Sequence, residues 1–115
     1  MHLRIAQALR GKSDFKGARE WLTNGIPILQ RVLRAYPDNP NYLYHMSLFD
    51  LYSGDLFFDD GDAKGALASW RLSSEVLDRL VARDPANAEW RHSLDAALRR
   101  IDQVLRARPG LITSG

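Results

Sequence analysis

The side chains whose types come closest to chemistry are four aspartates, Asp55, Asp59, Asp60 and Asp62, crowded around Gly61. Calcium is the first ion such a cluster suggests. An EF-hand loop built on Asp60-Gly61 needs oxygen ligands at positions 56 and 58 and a glutamate at 67. The chain has Leu56, Phe58 and Leu67 there, so that loop does not form. Gly11-Lys12-Ser13 has the ending of a phosphate-binding loop. Its required earlier glycine falls on Ala6 and no strand precedes it, so it reads as an inter-helix turn. His45 and His92 occupy nearly equivalent places but lack the carboxylate support of a metal or proton-transfer site. There is no cysteine, hence neither disulfide nor thiolate ligand. With no Ser–His–Asp and no paired-carboxylate arrangement, the expectation is a protein that is not an enzyme. It has no catalytic residues, no metal and no cofactor.

Charge narrows the partners. The 115 residues carry a net charge of +2, unevenly spread. Residues 38–63 hold six aspartates and no Lys or Arg, while both flanks are net basic. An acidic centre between basic ends is not the continuous basic face that nucleic acid requires. No run approaches the ~18 apolar residues of a membrane helix, and the first residues are too polar for a secretory signal. A cytoplasmic, single-domain protein is expected, without nucleic-acid or membrane partners.

The elements that must position these residues come from a repeat. Shifted by 48, Asp14-Phe-Lys16-Gly17-Ala18 falls on Asp62-Ala-Lys64-Gly65-Ala66, Leu29 on Leu77, Arg31 on Arg79, Pro37 on Pro85, Asn39 on Asn87 and Tyr42 on Trp90. Each period holds two helical segments and two breaks. Five helices are predicted, near His2–Gly11, Asp14–Tyr36, Pro40–Asp60, Asp62–Arg83 and Ala86–Arg108. Asn39 and Asp62 are the expected N-caps, Pro40 suits the first helical position, and Pro37 and Pro85 stop the preceding helices. Pro27 removes a hydrogen bond inside the second helix and predicts a kink. The third helix, Asn39 to Asp60, carries six of the eleven aromatics.

At Gly54, Phe57, Gly61-Asp62, Ala66, Trp70 and Pro85 the chain resembles the tetratricopeptide-repeat family. A degenerate first copy runs Ala6, Leu9, Ser13-Asp14, Ala18, Leu22, Pro37. The family's early Trp and Leu fall on Asp50 and Ser53, so half of the motif is missing. The period is 48 rather than the family's ~34, roughly two extra turns per helix. The wording GDAKGALASW…LDRLVARDPANAEW is similar to long-helix repeats of large bacterial signalling proteins. The resemblance implies an all-α fold, a five-helix right-handed solenoid of antiparallel helix hairpins over residues 1–110, with a loose tail at 111–115. The stripe Arg91, Asp95, Arg99, Asp102, Arg106 gives the last helix the polar outer face that a terminal repeat needs.

In that family the first helix of each pair lines a concave groove. Carried over, the third helix presents Asn41, Tyr44, Leu48, Leu51, Asp55, Phe58 and Asp59, the fifth His92, Arg99, Gln103 and Arg106, and the first Leu3, Gln7 and Arg10. The implied function is a protein–protein interaction scaffold that takes a basic or hydrophobic peptide on an aromatic and acidic floor. The competing expectation is that these charges pair between helices while aromatics such as Tyr42, Phe49 and Phe57 fill the core. The alternative function is a structural, self-associating repeat segment of a larger multidomain signalling protein. It would stack head to tail, basic end on acidic centre, as a homo-oligomer.

Overall fold

The computed structural model describes residues 15–111, and among these the protein is all-α. Four helices follow one another: α1 (Phe15–Ala35), α2 (Pro40–Asp59), α3 (Ala63–Arg83) and α4 (Ala88–Ala107), then a 3-10 turn at Pro109–Leu111. These are the second to fifth predicted helices. The first, His2–Gly11, and the rest of the tail lie outside the described residues. No helix among the described residues is long and apolar enough to cross a membrane.

The ends are fixed by side chains that satisfy orphan amides. Asn39 Oδ1 accepts from the amides of Asn41 and Tyr42 at 2.9 and 3.3 Å, with Pro40 next to it at the start of α2. Asp62 accepts from the Gly65 amide at 2.8 Å, and Asn87 from that of Trp90 at 3.0 Å. Asn39 and Asn87 are 48 residues apart, so the repeat extends to its caps. Gly61 has φ +88°, a left-handed conformation that closes α2 with Gly61 and Asp62 amides donating to Phe58 and Phe57 carbonyls. α1 is continuous through Pro27.

α2 packs between α1 and α3. Its Phe49 and Leu56 join Leu22 of α1, backed by Ile26 and Leu29. Its Leu51 joins the larger core of Ala66, Trp70, Leu77 and Leu80 from α3 with Ala97 and Val104 from α4. Tyr52 touches both clusters. Close approach depends on small residues. Ser73 Oγ donates to the Ser47 carbonyl at 2.7 Å, and both serines are fully buried. Trp70 Nε1 donates to the Leu51 carbonyl at 3.1 Å. As α3 advances from 70 to 73, its partners on α2 fall from 51 to 47, so the two helices are antiparallel. Gly25 and Ser73 are equivalent in the repeat. A Cβ on Gly25 would stand 2.9 Å from the Phe49 ring, and one on Gly54 would overlap the Trp70 indole.

Phe57 departs from expectation. It is 40% exposed rather than core. It lies in the last turn of α2, about 200° around the helix from Asp55, at ~100° per residue. Phe49 is buried, and Tyr42 is half-buried with its ring 6.0 Å from that of Tyr36. Asp50, where the repeat motif expects an aromatic, is half-buried on the α2 face between the residues turned to α1 and those turned to α3. Burial pushes its carboxyl up to about 7.

Two outcomes are expected. Gly54→Ala should destabilise the protein by about 2 kcal/mol in urea unfolding, because the clash with Trp70 outweighs alanine's helix-propensity advantage of about 1 kcal/mol. For Asp50 the folded state holds its proton more tightly than the unfolded chain. Its favourable contribution is therefore complete below pH 3.8 and is lost as pH rises through 7. Asp50→Asn should accordingly be more stable than the parent by about 2 kcal/mol above pH 7, discounted for residual solvent. The advantage should vanish near pH 4, as read from paired unfolding curves. A pH-independent difference would contradict this account.

Candidate functional site: a groove along α4

At the centre of the structure one carboxylate joins three helices. Asp55 of α2 has a side chain only 6% exposed. Its Oδ1 accepts from Trp70 Nε1 of α3 at 3.1 Å and from Arg100 Nε of α4 at 2.7 Å. Its Oδ2 accepts from Arg100 Nη2 at 3.1 Å. The two-pronged geometry matches the guanidinium fork to the carboxylate. Arg100 also donates to the Ala96 carbonyl of its own helix at 3.2 Å.

Beside this junction an open groove of about 620 Å³ runs along α4. Its apolar side consists of Phe58, Trp70 and Val104 with the small Ala96 and Ala107. Phe58 is 47% exposed and its ring lies 5.8 Å from that of buried Trp70. The polar wall is His92, Asp95, Arg99 and Gln103. Asp95 and Arg99 pair at 2.7 Å one turn apart, both well exposed.

The expected groove residues divide. Asp55, Phe58, His92, Arg99 and Gln103 come together on the groove. Tyr44, Leu48 and Leu51 do not. Leu51 is buried, and Tyr44 and Leu48 are half-buried against the main core. The Tyr44 hydroxyl shares a 2.9 Å hydrogen bond with Ser93 of α4, and burial raises its phenol above the usual range, with that bond partly offsetting the effect. Arg106 pairs with Asp102 at 3.0 Å on the outward stripe of α4. Asp59 is exposed in the last turn of α2, and neither it nor Arg106 lines the groove. Asn41 is exposed at the start of α2. His45 Nδ1 is 2.7 Å from the Asn41 carbonyl oxygen. Leu3, Gln7, Arg10 and the Gly11–Ser13 turn lie outside the described residues.

Sequence reasoning missed Arg100. It stands one residue off the outward stripe of α4, and that offset was the available signal: an arginine turned toward its neighbours needs an acid. The acidic segment is answered from all sides. Arg19 of α1 meets Asp60 at 3.1 Å. Arg83 of α3 donates to the Asp38 carbonyl at 2.8 Å and lies 3.6 Å from its carboxylate. Among the described residues Arg19 meets the charge of Asp60 at the C-terminus of α2, while Lys12 lies outside them.

Compared with protein-family models, curated proteins and solved structures, the chain matches none. The reading of the groove therefore rests on its geometry.

Asp55→Ala is expected to destabilise the protein by about 3 kcal/mol, roughly 10 °C in Tm, since it strands a largely buried guanidinium. Pairing Asp55→Leu with Arg100→Met should restore most of the loss in the same thermal melts, because removing both charges leaves neither uncompensated.

Proposed function

We propose that this protein is a non-enzymatic interaction module, a tetratricopeptide-like right-handed solenoid of antiparallel hairpins, that holds a protein or peptide segment in the groove along α4. The observation that carries the reading is Phe58, half exposed over Trp70 on the floor of a groove whose polar wall includes the Asp95–Arg99 pair. A large aromatic side chain left in water beside an open groove is a natural contact for an apolar anchor. Charge is the weaker attraction, because the Asp55 carboxylate is taken by Arg100 and Trp70. Head-to-tail self-association gains less support, since the acidic centre that it needs is met by arginines from α1, α3 and α4.

The test is selection of displayed random peptides on the full chain, followed by binding measurements on groove variants. Phe58→Ala and Ala96→Trp should each weaken the selected peptides at least tenfold by fluorescence anisotropy. Phe58→Ala should cost folding about 1 kcal/mol, well short of the ~3–5 of a core phenylalanine. Selected peptides indifferent to both variants, or a selection that returns none, would overturn the proposal.

A further inference from the structure

The groove stands in a definite relation to α4 itself. α2 and α4 run parallel, because Tyr44 meets Ser93 and, further along both helices, Asp55 meets Arg100. α4, packed mainly on α3, thus meets α2 at the two ends of one stripe, Tyr44, Leu48, Leu51 and Asp55, spaced as one helix face. The 48-residue register converts that stripe into His92, Ala96, Arg99 and Gln103 on α4, and all four line the groove. The register holds in three dimensions. Phe49 and Leu56, which α2 buries with α1, correspond to Ala97 and Val104, which α4 buries with α3.

We infer that the groove is a seat for a single α-helix lying parallel to α4, the counterpart of the seat that α4 fills on α2, and that its occupant is an acidic amphipathic helix of a partner protein. This deepens the interaction-module reading and rests on it. Continuity with an interface already built in the molecule gives the shape. The substitutions along the stripe give the chemistry. Ala96 stands where α2 has Leu48, so the wall recedes and admits a bulky aliphatic side chain toward Phe58. Gln103 replaces Asp55, and Arg99 replaces Leu51. Where α4 offers Arg100 to a carboxylate, the occupant faces the Gln103 amide and the Arg99 guanidinium, with Asp95 beside them, and is matched by a Glu or Asp that takes the place of Asp95 on Arg99. The Arg99–Asp95 pair is exposed, of a kind worth only about 0.3–0.5 kcal/mol, so Arg99 is free to exchange partners.

The outward stripe of α4 separates this seat from a further hairpin. Ser47, Leu51, Gly54 and Phe58, which α2 turns toward α3, correspond to Asp95, Arg99, Asp102 and Arg106. Those four form two exposed pairs one turn apart, of which Asp95 and Arg99 stand at the edge of the groove and Asp102 and Arg106 beyond it. A helix in the seat is therefore taken alone.

The experiment uses the full chain and fluorescein-labelled, helix-stabilised 18-residue peptides with Leu at two positions one turn apart and either Glu or Lys at the following turn. The Glu peptide should bind at least tenfold more tightly than the Lys peptide, and Arg99→Glu, with Tm unchanged, should reverse that order. A proline in the middle of the Glu peptide should abolish binding. A nitroxide at the peptide's N-terminus should broaden amide signals near His92 and spare those near Ala107. Equal binding of the Glu and Lys peptides, full binding of the proline-containing peptide, or broadening at the Ala107 end would each overturn the inference. If neither designed peptide binds while selected peptides still depend on Phe58, the helix seat falls and the groove stands. If Phe58 and Ala96 variants change nothing, the groove reading itself fails.

Discussion

The Asp55 carboxylate is the constraint from which the rest of the arrangement follows. It accepts from α3 and α4 while belonging to α2, so three helices are positioned against one group. A charge this deeply buried is tolerable only when its lone pairs are used, and here three donors use them. The same contacts fix the Trp70 indole, whose Nε1 is shared between Asp55 and the Leu51 carbonyl. Gly54 must then be glycine, since the indole occupies the space of its Cβ. Phe58 in turn rests on a buried ring held by two hydrogen bonds. A polar junction thus sets the position of the groove's apolar floor.

The uneven charge of the chain has the same explanation. Read linearly, an acidic middle between basic ends resembles a recipe for sticking molecules end to end. In the folded chain three arginines from the flanks reach that acidic segment. Arg19, Arg83 and Arg100 come from three different helices to Asp60, Asp38 and Asp55. Asp62 serves a helix start instead. Segregation in sequence becomes neutralisation in space. Most of these contacts are exposed and individually weak, so their joint effect is to suppress wrong pairings more than to add stability.

Element boundaries were legible because each is fixed by local chemistry. Pro37, Asn39, Asp62 and Pro85 act within three or four residues of themselves, and a sequence states such effects directly, whereas the cap at Asn87 starts the last helix two residues later than the expected Ala86. The orientation of the aromatics on α2 was not legible. That helix is apolar on nearly every side, so its periodicity carries little contrast, and Phe49 and Phe57 look alike until α1 is in place. The stripe Tyr44, Leu48, Leu51 was a correct helix face with the wrong exposure. Its fate depends on whether another helix lies along it, which is a long-range fact. Arg100 was hidden for the same reason, since its partner is 45 residues away.

The repeat resolves that difficulty by supplying its own control. Two equivalent helices present equivalent stripes, and among the described residues one of them is covered by a following helix. Tyr44, Leu48, Leu51 and Asp55 show what the stripe does when covered: an aromatic hydroxyl is shared, leucines pack, a carboxylate binds an arginine. His92, Ala96, Arg99 and Gln103 hold the same positions along an open groove among the described residues, and their composition differs accordingly. Leucines that would be wet have become alanine and arginine, and the carboxylate that would be left unpaired has become an amide. Each change lowers the cost of standing in water while keeping the shape in which a helix can lie. Phe58 of α2, large, aromatic and half exposed beside these positions, supplies the groove's apolar contact.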